Sequence, residues 1–307
     1  MAGICDGRVV IVTGAGAGLG REYALMLAAE GAKVVVNDLG VGVHGEDGKA
    51  VGAAQQVVNE IVAAGGQAVA NTDDVADWDG GKRMVDTAVN TFGGLDAVVN
   101  NAGIVRDRMF VNASIEEWDA VIRVHLRGHF CVTRHAVDYW RAKQKEGGAV
   151  DARIINTTSG AGLQGSVGQS VYAAAKGGIA SLTLVQAAEL GRYNITANAL
   201  GPNARTRMTD TAFGDMMRAK EGDFDKFHPG NMAPLVTWLC SEQSKGITGQ
   251  VFELKGGKVW LSEGWRDGPA FEKDSRLTVQ EIAEVVPRLV AQRHPPKPVY
   301  GTPGAVV

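Results

Sequence analysis

The chain has 307 residues, 45% of them hydrophobic and 21% charged, with a formal net charge of −3. That balance is ordinary for a globular fold and gives no support to a nucleic-acid binder. Three widely separated cysteines, Cys5, Cys131 and Cys240, without a CxxC pair, argue against a disulfide scaffold or zinc cluster and point to a reducing, cytoplasmic setting.

The N-terminal apolar run is too short for a signal peptide or membrane span, so no membrane association is expected. "RVVIVTG" (8–14) reads as a strand buried on both faces. "GREYALMLAAEG" (20–31) is an amphipathic helix ended by Gly31, "AKVVVND" (32–38) a second strand and "AVGAAQQVVNEIVAAG" (50–65) a second helix. "QAVANTDD" (67–74), "GKRMVDTAVNTFG" (81–93) and "LDAVVNNAG" (95–103) continue the alternation as strand, helix and strand. One long helix is expected over 118–143, a fifth strand over 152–159, then a helix carrying Tyr172 and Lys176. Segments 194–202 and 249–257 read as sixth and seventh strands. This rhythm predicts an α/β fold: a doubly wound, seven-stranded parallel Rossmann-type sheet with helices on both faces.

The catalytic domain is expected over 1–261, with a glycine-rich loop at 39–49. Residues 262–307 form an extension with a helical stretch over 278–293 interrupted by Pro287, packing on the domain or on a neighbouring subunit.

"TGAGAGLG" (13–20) sits between a predicted strand and a predicted helix. Gly14 permits a tight turn, Gly18 a close backbone approach to a pyrophosphate and Gly20 close helix packing, with Leu19 in the same turn. A glycine trio alone also fits a plain tight turn; the strand–turn–helix context favours dinucleotide binding. Asp38 ends the second strand, where a carboxylate can bind both adenosine ribose hydroxyls and repel the extra phosphate of NADP. It could also simply cap a turn. "DDV" (73–75) could set Asp74 against the adenine amino group, with Val75 beside it, and "NNAG" brings Asn101, Ala102 and Gly103 to the carboxyl edge of the sheet.

In "SVYAAAKGG" (170–178), Tyr172 and Lys176 lie one helical turn apart on one face, among residues small enough to admit a flat ligand. A phenol is a poor base at neutral pH, and a nearby ammonium improves it. Ser159 ends the preceding strand, where its hydroxyl could hold a substrate oxygen. A packed aromatic and a solvated lysine remain the plain structural alternative.

With these residues in place the chain resembles the short-chain dehydrogenase/reductase family from about residue 7 to 260, on "TGAGAGLG", "NNAG", Ser159 thirteen residues before Tyr172, "YAAAK" and "GPNART" (201–206). The resemblance implies Tyr172 as acid/base, Ser159 as carbonyl orienter and Lys176 as ribose binder. It places Pro202 and Thr206 near the nicotinamide carboxamide, and a variable substrate lid at about 207–228. A homodimer or homotetramer is implied, with NAD as cofactor and no metal. His125 stands where the family usually has a proton-relay asparagine, so its role, relay or packing, is open. "NDLG", "GIVRDRMF", "RVHLRGHF" and "RTRMT" narrow the resemblance to the (3R)-hydroxyacyl-CoA dehydrogenase domain of peroxisomal multifunctional enzyme type 2 and actinobacterial steroid-catabolic relatives.

The implied activity is NAD-dependent interconversion of a secondary alcohol and a ketone, with a 3-hydroxyacyl-CoA foremost. A hydroxysteroid dehydrogenase, a 3-oxoacyl carrier-protein reductase and a non-catalytic dinucleotide binder are the alternatives. Arg106, Arg108, Arg205, Arg207 and Lys220 could meet coenzyme A phosphates or could brace loops. Met208, Phe213, Met216 and Met217 could line an apolar substrate channel or form the lid's own packing face.

Overall fold

A computed structural model describes residues 3–40, 52–205, 218–220 and 222–302. Its single sheet holds β1 (Val9–Thr13), β2 (Lys33–Asn37), β3 (Gln67–Asn71), β4 (Ala97–Asn100), β5 (Ala152–Thr157), β6 (Ile195–Pro202), β7 (Val251–Lys255) and β8 (Lys258–Leu261). The order is β3-β2-β1-β4-β5-β6-β7-β8, parallel throughout except for the last pair.

The expected count of seven strands is therefore one short. Gly256 adopts φ +56, reverses the chain at once, and lets 258–261 return antiparallel beside β7. β8 is a mostly exposed edge strand, so it lacks the buried apolar run that marks the others.

Alternation within the strands explains their unbroken apolar character. On β1, Val10 and Val12 enter one core while Val9 and Ile11 enter the other; on β2, Val34 and Val36 oppose Val35 in the same way. The first core packs α1 (Gly18–Ala29) and α2 (Ala53–Ala63) with the helix Ala233–Cys240. The second packs α3 (Trp78–Phe92) and the long helical run after β4. Tyr23, Ala24, Leu27 and Ala28 give α1 its buried stripe, and Gly31, at φ +89, lets the chain turn into β2.

The single helix expected over 118–143 is three joined pieces. α4 (Ile115–Ile122) starts at a Ser114/Glu117 capping box, a π-helical segment spans Arg123–Arg127, and α5 (Gly128–Lys145) continues. After β5 come the short α6 (Gly160–Gln164) and the 21-residue α7 (Ser170–Leu190).

Near the C-terminus a helix runs over Val279–Gln292, opened by a Thr278/Glu281 capping box. It passes through Pro287 without the expected interruption. Pro287 and the carbonyl-bearing Ala283 one turn earlier are both exposed, so water can satisfy the acceptor that proline leaves without a donor.

Candidate active site

The strand order reverses between β1 and β4, and a cavity of about 970 Å³ opens along the carboxyl ends of the strands. One arm is built from the β1–α1 loop. Gly14 and Gly18 adopt φ +62 and +55, in the region that favours glycine. A Cβ on Gly14 would lie 2.7 Å from Ala102 Cα, so the loop closes on "NNAG" only with glycine there. Gly20 does not line the cavity. It packs, since a Cβ would meet Gly14 O at 2.3 Å and Asn101 Nδ2 at 2.6 Å. Ala17 at the N-cap offers no side-chain acceptor to the first turn of α1. The amide groups and dipole at that end thus suit an anion among the lining residues Gly14, Gly18 and Leu19.

Asn101 ties the two loops together. Its Nδ2 donates to Thr13 O at 3.0 Å and Gly14 O at 3.1 Å, while its backbone amide donates to Thr13 Oγ1 at 2.9 Å. Asp38 is braced at the same end, its Oδ2 accepting from Gly16 N at 2.9 Å and its Oδ1 from Gly40 N at 2.8 Å. Asp74 also lines the wall with its carboxylate engaged, by Ala76 N at 2.8 Å and by Arg123 Nη2 at 2.5 Å; Val75 packs beside it. These features fit a dinucleotide: a glycine cradle that side chains would fill, a helix end for phosphates and a fixed carboxylate for a ribose diol.

The other arm gathers the residues of β5, α6 and α7. Ser159 follows β5 and caps α6, its Oγ accepting from Ala161 N at 3.2 Å. Tyr172 is partly open to the cavity. Burial pushes its phenol up to about 12, and Asp107 adds to the rise, while the Ser159 hydroxyl works against it by hydrogen bonding. Lys176 is 2% exposed; its Nζ donates to Thr157 O at 2.6 Å, and burial brings it down to about 7.

His125 projects from the π-helical turn into this floor and is 1% exposed. Its Nε2 lies 2.7 Å from Ile104 O and 3.1 Å from Ile104 N, so whether it donates or accepts depends on the tautomer, and its Nδ1 has no hydrogen-bond partner among the described residues. Burial, reinforced by the Lys176 charge, holds the ring neutral far below its ordinary range. The ring stands edge-on to Tyr172, with centroids 5.3 Å apart.

The remaining expected residues divide. Pro202 and Arg106 line the cavity, and Arg106 Nη1 donates to Val105 O at 3.1 Å. Arg108 pairs with Glu117 and Arg205 with Asp225, and neither lines the cavity. Thr206, Arg207, Met208, Phe213, Met216 and Met217 lie outside the described residues. Arg123, Glu253, Lys255 and Tyr300 are among the lining residues that the sequence pattern did not single out. Glu253 alone carried a signal, as a charge inside an otherwise buried strand.

The short chain dehydrogenase family profile matches residues 8–217. The chain is 49% identical over 262 residues to hydroxyacyl-CoA dehydrogenase ChsB1 of Mycobacterium tuberculosis, covering 83% of this chain and 80% of that one. It is 47% identical over 258 residues to peroxisomal multifunctional enzyme type 2 of Mus musculus, covering 84% of this chain but 32% of the mouse protein. Among solved structures, a short chain dehydrogenase from Mycobacterium avium superposes with a TM-score of 0.87 at 56% identity, covering 98% of this chain and 100% of the other. The chain belongs to the short-chain dehydrogenase family and is an oxidoreductase acting on CH–OH groups.

Proposed function

We propose that the protein is an NAD-dependent dehydrogenase that interconverts a 3-hydroxyacyl-CoA and a 3-oxoacyl-CoA, with Tyr172 as the general acid/base. The observation that carries the reading is the sharing of one cavity by a braced Asp38 at one arm and Ser159, Tyr172 and Lys176 at the other. A bound nicotinamide supplies or accepts the hydride.

The chain's own residues handle the proton and the oxygen. Tyr172 takes the hydroxyl proton in the oxidative direction and returns it in reduction, while Ser159 holds the substrate oxygen. Between about pH 7 and pH 12 the free pair is mostly neutral lysine and neutral phenol. Its ammonium–tyrosinate form has the same number of protons, so one internal transfer yields the base without a change of pH. Asp38 favours NAD because a ribose 2′-phosphate would face its carboxylate. Support for the thioester comes from the name of the mycobacterial relative. It also comes from two cations on the cavity wall, Arg106 and Lys255, suited to coenzyme A phosphates.

The test is NADH formation at 340 nm with a (3R)-hydroxyacyl-CoA, its 3S isomer and a 17β-hydroxysteroid, with Tyr172→Phe as control. Turnover of the 3R thioester that vanishes in the variant is the expected result. Turnover of the steroid alone would overturn the thioester assignment.

A further inference from the structure

Residues 297–302 return from the C-terminal helix to the catalytic floor as an extended strap. Gln164 Nε2 donates to Pro298 O at 2.7 Å. Tyr300 N then donates to Gly165 O at 3.2 Å, and Val167 N donates to Tyr300 O at 2.9 Å, forming a one-residue parallel bridge. Glycines make this close seating possible. A Cβ on Gly160 would lie 2.6 Å from Tyr300 Oη, one on Gly165 would lie 3.3 Å from the Val299 methyls, and one on Gly301 3.2 Å from Val167 Cβ. Gly165 and Gly301 both have φ +84, so each is suited to glycine on conformational grounds as well.

An ion pair between the half-exposed Lys297 and the buried Glu253 fastens the strap further along. Glu253, 4% exposed, accepts from Lys297 Nζ at 2.7 Å, from Trp260 Nε1 at 3.1 Å and from the Ser262 hydroxyl, all at Oε1. Burial pushes this carboxyl up, but its donors, Lys297 foremost, outweigh that and hold it below the ordinary range.

The strap closes one wall of the reaction cavity. Glu253, Val167, Tyr300 and Gly301 all line it, and Tyr300 leans on Gly160, the residue directly after Ser159. If Ser159 holds the substrate oxygen, the Tyr300 ring stands one residue away, against whatever is bonded to the reacting carbon on that side.

We infer that Tyr300 is a specificity-determining residue: the strap sets its ring as a steric wall beside the reacting carbon and excludes substrates branched at the carbon that passes it. This deepens the thioester reading and rests on it. One methylene of misfit in such a pocket changes kcat/KM by about 10- to 200-fold. Replacing the ring by a methyl group opens space for such a branch.

The experiment measures kcat/KM for an unbranched 3-hydroxyacyl-CoA and for analogues methylated at carbon 2 or at carbon 4. Wild type, Tyr300→Ala, Tyr300→Phe and Glu253→Gln are compared, with linear and branched secondary alcohols run in parallel. Tyr300→Ala should raise the branched-to-linear ratio by about tenfold or more for one of the two branch positions. Tyr300→Phe should keep the wild-type ratio, and Glu253→Gln should shift it in the alanine direction. A ratio unchanged in Tyr300→Ala overturns the inference, whichever substrates serve. Turnover confined to the simple alcohols would instead sink the thioester reading, and the wall would then be judged on the alcohol ratios.

Discussion

The Lys176 ammonium sits 5.6 Å from the centroid of the Tyr172 ring, yet its hydrogen bond goes to the Thr157 carbonyl at 2.6 Å. The lysine is thus held in place by β5, beside the phenol ring. Burial lowers it to about 7, so near pH 8 a large share of the protein carries it neutral. Ribose hydroxyls that accept from the ammonium favour its charged form and raise that value. Calorimetry of NADH binding at pH 8, in buffers of different ionisation enthalpy, should therefore show uptake of a substantial fraction of a proton. The uptake should fade toward pH 5.5, where Lys176 is already charged, and disappear in Lys176→Met. Equal uptake in that variant would assign the proton to another group.

Two neutral histidines lie under the same floor, and they make the fold sensitive to acid. His129 is fully enclosed, and burial first, then the Lys176 charge, brings it down to about 3. His125 moves in the same direction for the same two leading reasons. In the unfolded chain each protonates near 6.5, so below that value the unfolded state binds more protons and stability falls with pH. The contribution is complete above about pH 6.5 and lost progressively as pH falls toward the folded values. For His129 the loss between pH 7 and pH 5 comes to about 2 kcal/mol. Urea denaturation at the two pH values should show His129→Gln losing less stability than wild type over that interval. A parallel pH dependence would mean that another group supplies the acid sensitivity.

Gly103 owes its identity to His125. A Cβ there would lie 2.3 Å from His125 Cε1 and 3.0 Å from both ring nitrogens, and the buried ring has little room to retreat. Gly103→Ala should cost about 1–3 kcal/mol by overpacking, and it should lower kcat by pressing His125 toward Tyr172. Adding His125→Asn removes the ring that clashes, so the double variant should recover stability relative to Gly103→Ala alone. A double variant no more stable than the single one would place the strain elsewhere in the loop.

The parts of this site that a reader of the chain can find are those encoded by short spacing. Gly14, Gly18 and Asp38 belong to one strand–turn–helix–strand unit, and Tyr172 and Lys176 to one helical turn, so local geometry almost determines where they point. The packing role of Gly20 was readable for the same reason. Contacts made across long separations were not. Tyr300 meets Gly160 from 140 residues away, in a proline-rich segment whose pattern suggests only loop. The π-helical turn that aims His125 inward has no periodic signature, because the apolar positions of 118–143 read equally well as one uninterrupted helix. β8 was missed because an exposed edge strand need not be apolar, and Lys258–Leu261 pairs through its backbone.

Asp38 offers the sharpest test of dinucleotide choice, because its two oxygens already hold the loop in place. Gly16 N and Gly40 N fix the carboxylate, and a Cβ on Gly16 would press within 2.7 Å of Oδ2. If the adenosine ribose binds at this end of the cavity as proposed, the charge cannot swing away from a 2′-phosphate without giving up those amides. Asp38→Asn keeps an acceptor for the amides but removes the negative charge, while Asp38→Ala removes both. The ratio of kcat/KM with NAD to that with NADP should fall by about tenfold or more in each, equivalent to about 1.4 kcal/mol of discrimination. Asp38→Ala should also lose about 1 kcal/mol of stability through its unpaired amides, and Asp38→Asn less. A cofactor ratio that does not move in either variant would show that Asp38 is only a loop brace, and the preference for NAD would have to be sought in other residues of that arm.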